Sequence, residues 1–102
     1  MNKPLARKDN KGKVQMSRLF VDLSRELEQV AKILSDGADK YGSGNWQKGK
    51  PHKDFFTDAL YRHSNESNKG VIDDKESGSP HKGHMIANLL FDLWYENNDR
   101  TN

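Results

Sequence analysis

The chain has 102 residues, with 17 Lys and Arg against 15 Asp and Glu, and it contains no cysteine. This length allows a single domain, and the lack of cysteine excludes a disulfide framework and thiolate metal sites. A net charge of +2 is too balanced to favour nucleic acid as a partner. No apolar run approaches the roughly 20 residues of a membrane span, so we expect no membrane partner either.

Hydrophobic residues form only 32% of the chain, whereas folded domains have about 45–50% on a slightly wider residue set. Residues 1–14 are the poorest part, with one Leu, one Ala and one Val among charged and polar residues. We predict a flexible basic arm over residues 1–15, a single helical domain over 16–97 and a frayed C-terminus over 98–102. The arm could attract phosphate or be a solvated terminus, and the sequence leaves both open.

The first amphipathic helix is predicted to begin at Ser24, whose hydroxyl can cap the helix. Its apolar residues recur at three- and four-residue spacing and form one stripe: Leu27, Val30, Ala31, Leu34 and Ala38. Gly37 interrupts this pattern, and the glycine-rich segment 41–45 ends it. A loop is predicted from there to about Pro51.

A second helix is predicted over residues 53–64, followed by a long polar loop over residues 64–80. A third helix should begin with Ser79 as its cap and Pro80 in its first turn, and should run to about Glu96. One of its faces is apolar, with Ile86, Leu89, Leu90, Leu93 and Trp94. A neighbouring face carries His81, His84 and Asn88.

These elements predict an all-α fold, a small helical bundle of three to four helices with a long polar loop. The stabilisation from burying so few apolar side chains barely exceeds the conformational entropy that the chain loses on folding. We therefore expect a homo-oligomer, in which Phe55, Phe56, Leu89, Leu93 and Trp94 are divided between core and interface.

Polar residues of the kind that bind phosphates gather around the start of the third helix. Asp74 and Glu76 on the preceding loop can hold a hard cation such as Mg²⁺, and a helix N-terminus attracts phosphate. Positive charge for phosphates is available from Lys40, Lys48, Arg62 and His63. Tyr41 or Trp46 could offer an aromatic face to a base. The combination favours a phosphorylated ligand.

Each of these parts also has a purely structural interpretation. His81 and His84 could form local hydrogen bonds, and the acidic residues Asp73, Asp74 and Glu76 could be a solvated turn shaped by Asp74 or Ser77. Trp46 could pack over the edge of the core. Arg62 and His63 could interact favourably with the negative end of the helix dipole. Nucleophilic triads are excluded by the absence of Cys and of a Gly-x-Ser-x-Gly turn. The Walker and Rossmann glycine patterns are missing as well.

Four blocks occur in a fixed order along the chain: Gly37-Ala38-Asp39-Lys40-Tyr41-Gly42, Asn45-Trp46-Gln47-Lys48-Gly49, Ala59-Leu60-Tyr61-Arg62-His63, and Asp74-Lys75-Glu76-Ser77-Gly78 with His81, His84 and Asn88. Together they resemble the phage dATP/dGTP diphosphohydrolase N-terminal domain family, over about Leu19 to Glu96. The resemblance implies a MazG-like hydrolase that converts a purine deoxynucleoside triphosphate to monophosphate and pyrophosphate. It also implies Mg²⁺, with Mn²⁺ as an alternative, and the cytoplasm of an infected bacterium.

The resemblance further implies roles for individual residues. The catalytic residues would be Asp74, Glu76 and His84, and the metal ligands Asp74 and Glu76. The substrate would be bound by Lys40, Tyr41, Asn45, Trp46, Lys48, Arg62, His63, His81 and Asn88.

Two departures from the family pattern favour an alternative function. Val71 stands where family members commonly carry an acidic residue, and Glu26 and Glu28 lack the Glu-x-x-Glu spacing of MazG-type metal sites. A chain of this kind could bind a nucleotide, or a cyclic-nucleotide signal of host antiphage defence, and sequester it without hydrolysis. A third hypothesis is a phage factor whose basic arm docks on a host protein or nucleic acid.

Overall fold

A computed structural model of the chain describes residues 11–101, with side chains for residues 11–99. It contains four α-helices, α1 (Ser17–Phe20), α2 (Ser24–Tyr41), α3 (Phe55–Asn68) and α4 (His81–Thr101), and a short 3₁₀ helix at Asn45–Lys48. These described residues form no strand, which confirms the predicted all-α bundle. None of their helices combines the length and the apolar character that a membrane crossing requires. Residues 1–10 of the predicted arm lie outside the described residues.

Helix α2 differs from its prediction at the start and in the middle. Leu23 occupies the cap position and no side chain caps the helix, so Ser24 is the first helical residue rather than the cap. The helix also runs through Gly37 without a break. A glycine within a helix costs about 1 kcal/mol relative to alanine, which packing readily outweighs.

Helix α3 extends to Asn68, so the prediction that a loop begins at Ser64 was wrong. The helix ends where Gly70 adopts a left-handed conformation with φ of 88°. There the Gly70 N–H donates to the Ser67 carbonyl at 3.0 Å, and the Val71 N–H donates to the Glu66 carbonyl at 3.2 Å. This is the Schellman pattern, for which glycine is the favoured residue. The position of Gly70, and not the polar composition of residues 64–68, determines where the helix ends.

Helix α4 begins at His81, directly after Pro80, and extends to Thr101, past the predicted end near Glu96. It packs against both α3 and α2. Gly83 is buried on α4, and a Cβ added there would lie 2.9 Å from Cδ1 of Ile33 on α2. The missing side chain therefore allows the two helices to approach closely.

A cluster of aromatic rings fastens the segment between α2 and α3 onto α4. The Trp46 ring stacks on Phe91 with centroids 4.7 Å apart, and Phe56 packs on Phe91 at 5.1 Å. The Tyr95 hydroxyl donates to the Trp46 carbonyl at 2.6 Å and accepts from the Gly49 N–H at 3.0 Å. These contacts hold the 3₁₀ helix against α4.

Most of the predicted apolar face of α4 does not point into the core. Its aliphatic members are 44–53% exposed: Ile86, Leu89, Leu90 and Leu93. Trp94, the fifth predicted member, is partly buried and packs on Trp46. The buried residues of α4, among those with described side chains, are instead His81, Gly83 and Ala87, which lie outside this aliphatic face. Among the described residues the buried apolar core is limited to Val30, Phe56 and Ala87. Within the part of the chain that the structure describes, the leucine-rich face of α4 is left about half exposed.

We expect Gly37→Ala to raise the free energy of unfolding by about 1 kcal/mol, because alanine is the better helix former. Nothing lies within 4 Å of a Cβ added at Gly37. Gly83→Ala is the matched control, because its Cβ would displace the end of the Ile33 side chain and so lose part of the same gain. Urea denaturation followed by circular dichroism measures both variants. An equal gain in the two would contradict the close approach of α2 and α4 at Gly83.

Candidate functional site

Residues 69–80 fold back on themselves between α3 and α4. The Asp74 N–H donates to the Ser79 carbonyl at 2.8 Å, and the His81 N–H donates to the Ile72 carbonyl at 2.8 Å. Gly78 turns the chain with φ of 71°, and its N–H donates to the Asp74 carbonyl. The predicted polar loop is therefore an ordered hairpin that holds Asp74 beside the first turn of α4.

Three histidines meet at this hairpin, one from α3 and two from α4. The His63 and His84 rings are stacked, with centroids 4.4 Å apart and an interplanar angle of 5°. Nδ1 of His63 lies 2.8 Å from Nδ1 of His81. Since a neutral imidazole has one donor and one acceptor nitrogen, one of these two atoms carries the proton and donates to the other. His81 is only 4% exposed, so the contact satisfies a buried polar group.

Ser77 joins the acidic loop to the histidines. Its N–H donates to Oδ2 of Asp74 at 2.8 Å, and its Oγ lies 2.7 Å from Nε2 of His84. The same Oγ accepts from the Ser79 N–H at 3.1 Å. An Asp-x-x-Ser spacing is typical of such turns, so the sequence carried a signal for this loop-shaping role. The contact of Ser77 with His84 had no such signal.

The surroundings shift the pKa values of three of these groups. Burial lowers the pKa of His63 and of His84, and the charge of nearby His84 lowers the pKa of His63 further. For Asp74, burial acts to raise the pKa, but the hydrogen bonds from Ser77 outweigh it and the net pKa is lowered. At neutral pH the Asp74 carboxylate therefore lies beside the neutral imidazoles of His63 and His84.

His63, Asp74 and His81 could together hold a metal ion. One ligand atom from each lies within 4.8 Å of the other two. Imidazole nitrogen and carboxylate oxygen are both common metal ligands. Glu76, expected from the sequence to be a metal ligand, is not a member of this group. Its Oε1 lies 3.0 Å from Nζ of Lys40, and its side chain is 80% exposed.

The end of α2 lies beside the same hairpin. The ion pair between Lys40 and Glu76 joins the two elements, and the hydrogen bond and charge of Glu76 raise the pKa of Lys40. Nζ of Lys40 also lies 5.5 Å from the ring centroid of Tyr41, whose side chain is exposed. Lys40, Tyr41 and Glu76 thus form an exposed polar edge next to the histidines.

The block around Trp46 is built into the aromatic cluster. Trp46 stacks on Phe91, which is the packing alternative that the sequence left open for it. Asn45 and Lys48 are exposed at the two ends of the same 3₁₀ helix. Contact of these three residues with a substrate stays a prediction.

Arg62 and Asn88 flank the histidines on α3 and α4. Arg62 is exposed and directly precedes His63. Nδ2 of Asn88 donates to the His84 carbonyl one turn earlier at 2.8 Å. Both residues therefore adjoin a histidine of the cluster, and their contact with a substrate stays a prediction.

We expect the metal-free protein to lose stability when the pH falls below about 6.5. The unfolded chain takes up protons on its histidines near that pH, whereas burial lowers the folded-state pKa of His63 and His84. The unfolded state then binds more protons, and the free energy of unfolding falls with pH. Above about pH 6.5 these histidines are neutral in both the folded and the unfolded state, and the free energy of unfolding no longer changes with their titration.

Denaturation with a chelator present, at about pH 7.5 and about pH 5.5, measures the difference. His84→Gln should reduce it, because one of the titrating groups is removed. His52→Gln is the matched control, since His52 packs on Phe55 away from the cluster. Equal stability of the wild-type protein at both pH values would contradict the expectation.

Comparison with known proteins places the chain in a family. The sequence profile of the dATP/dGTP diphosphohydrolase N-terminal family matches residues 3–102. A Salmonella phage PMBT28 protein named dATP/dGTP diphosphohydrolase is 37% identical over 94 residues, which cover 92% of this chain and 31% of the relative. The chain therefore spans less than a third of that relative's length. No solved structure matches the chain. The chain belongs to the dATP/dGTP diphosphohydrolase N-terminal family.

Proposed function

We propose that this chain is a phage nucleotide diphosphohydrolase domain that converts a purine deoxynucleoside triphosphate, dATP or dGTP, to monophosphate and pyrophosphate. The observation that carries the proposal is the convergence of Asp74, His84 and His63 at one ordered hairpin in a chain of this family. The name of the phage relative supports the substrate class. In this proposal the reaction takes place in the cytoplasm of the infected bacterium.

The exposed edge at Lys40 is suited to the triphosphate. The pair between Lys40 and Glu76 is open to solvent, with side chains 56% and 80% exposed, and exposed pairs of this kind contribute little stability. A triphosphate carries more negative charge than one carboxylate and can take Glu76's place on Lys40. Arg62, next to His63, adds a second exposed cation that can bind phosphate bidentately. Phosphate binding would thus release the Glu76 carboxylate.

Mg²⁺ enters this proposal as part of the substrate, because nucleoside triphosphates carry it on their phosphate oxygens. Carboxylate oxygens fit Mg²⁺, and we propose Asp74 and Glu76 for it; Mn²⁺ could replace it. Once released from Lys40, Glu76 can accept the proton of the attacking water. His84 is neutral and tied to Ser77, which suits a group that exchanges a proton with the phosphates. Hydrolysis needs both a base and a phosphate-binding cation, and this edge of the hairpin provides them.

The test is to incubate the full chain with Mg²⁺ and each of the deoxynucleoside triphosphates, and to separate the products by chromatography. We expect a purine monophosphate and pyrophosphate. Glu76→Gln should lower kcat by at least about 100-fold, the lower range for general acid–base catalysis. Lys40→Gln should mainly raise KM, because it removes a phosphate-binding charge. Glu28→Gln, on the exposed surface of α2, is the matched control and should behave like the wild-type chain.

Binding is followed in parallel by thermal stabilisation, since a ligand of the folded state raises the melting temperature. Stabilisation with the nucleotide recovered intact would reject hydrolysis and favour the sequestering alternative. In that case a cyclic dinucleotide panel would identify the ligand class. Neither stabilisation nor products with any nucleotide would contradict the proposal as a whole.

We further propose that the chain forms a homo-oligomer through the apolar face of α4. Ile86, Leu89, Leu90 and Leu93 recur at helical spacing on one exposed face, and the buried apolar core within the described residues is small. A second copy of the same helix would present a complementary apolar stripe, as in a symmetric dimer. Covering this stripe would remove apolar surface from water.

Light scattering coupled to size-exclusion chromatography should show a dimer or a larger assembly. Leu93→Lys should shift the population toward monomer, because it places a charge in the proposed interface. Val14→Lys, at a position that is 85% exposed and distant in sequence from α4, is the matched control. A monomeric wild-type chain at high concentration would contradict the proposal.

A further inference from the structure

We propose that His63, Asp74 and His81 bind one divalent transition-metal ion, such as Zn²⁺, and that this ion differs from the Mg²⁺ carried by a nucleotide. Any part that the ion plays in hydrolysis rests on the proposed function, whereas its binding does not. The family resemblance led us to expect a carboxylate site at Asp74 and Glu76. The structure also gathers two imidazoles and one carboxylate, and Asp74 belongs to both sets.

The first argument is the distance between the ligand atoms. One atom from each of the three residues lies within 4.8 Å of the other two, and the two Nδ1 atoms are 2.8 Å apart. Metal–ligand bonds of about 2.0–2.2 Å place neighbouring ligand atoms roughly 3–3.5 Å apart. The side chains therefore need to move by only about an ångström to enclose an ion.

The second argument is the kind of donor. Mg²⁺ prefers six oxygen ligands and keeps several of its waters, so a set with two nitrogens fits it poorly. Imidazole suits Zn²⁺, Ni²⁺, Cu²⁺ and Fe²⁺, and two histidines with one carboxylate recur in sites that keep a position open.

The third argument is that neighbouring groups already hold the three ligands. The Ser77 N–H binds Asp74 Oδ2, and the His84 ring is stacked on the His63 ring. His81 is buried, and its backbone N–H is held by the Ile72 carbonyl. Such outer contacts orient metal ligands and raise affinity. The three ligand side chains are therefore preorganised for metal binding.

The facing Nδ1 atoms of His63 and His81 have a chemical consequence for binding. In the metal-free protein one of them carries the shared proton. An ion placed between the rings takes the place of that proton, and the ring that carried it changes to the tautomer with its proton on Nε2. Both neutral rings then present an unprotonated Nδ1 to the ion. The rival explanation is a hydrogen-bonded histidine pair with no affinity for metal. The two explanations predict different behaviour with added Zn²⁺.

The test uses the full chain purified without a histidine tag and stripped of metal with a chelator. Equilibrium dialysis against ⁶⁵Zn²⁺ should show one tightly bound ion per chain, and excess Mg²⁺ should not displace it. His63→Gln and Asp74→Asn should each weaken binding by at least about tenfold, the lower end of the effect of losing even an outer contact. His52→Gln is the matched control, because it removes the one histidine of the chain's four that lies outside the cluster.

A second measurement covers the case in which a variant fails to fold. Nitrogen NMR of the wild-type imidazoles should show Zn²⁺ shifting the signals of two rings strongly and leaving His52 unchanged. Equal loss of binding in His52→Gln, displacement by Mg²⁺, or unshifted ring signals would overturn the inference. Zn²⁺ binding without nucleotide hydrolysis would reject the proposed function and leave this site standing. Hydrolysis with Mg²⁺ by a chain that binds no Zn²⁺ would do the reverse.

Discussion

The hydrogen bond between His63 and His81 is the contact on which the arrangement of the helices depends. A buried imidazole is costly unless it is hydrogen-bonded, and His81 is 4% exposed with Nδ1 of His63 as its side-chain partner at 2.8 Å. With His81 held against α3, Gly83 of the same helix lies close to Ile33 of α2, and Ala87 is buried. In this orientation the leucine-rich face of α4 is exposed. The polar contact and the close approach at Gly83 thus go together with exposure of the leucines.

The orientation of α4 links the histidine site to the small size of the core. A helix with four large apolar residues on one face would ordinarily bury that face, since each large aliphatic side chain gains about 1.5–3 kcal/mol by leaving water. Here that face stays half exposed among the described residues. The inward side of α4 holds a buried histidine, glycine and alanine beside the partly buried Phe91, Trp94 and Tyr95 of the aromatic cluster. Functional sites commonly violate one folding rule and are compensated elsewhere. Assembly through the exposed face would be that compensation.

The sequence predicted the helices well because apolar spacing is a local signal, and α2 follows its stripe through Val30. It misplaced the end of α3, because Gly70 and not the polar run ends that helix. It assigned Asp74, His81 and His84 to one neighbourhood, since they are close in the chain. It did not anticipate that His63 would face His81, because contact between α3 and α4 depends on helix rotation. Glu76 shows the same limit, since its partner Lys40 lies on α2.

The two parts of the site are built differently, and the difference suits different ligands. The histidines are stacked, partly buried and hydrogen-bonded, so they fix positions without rearrangement and favour a small ion of defined geometry. Lys40 and Glu76 are joined by an exposed pair that contributes little stability and is easily exchanged. A large flexible polyanion can therefore replace one partner of that pair without disturbing the histidines. Because the hairpin carries both Asp74 and Glu76, one short backbone segment places the rigid cluster and the exchangeable pair side by side.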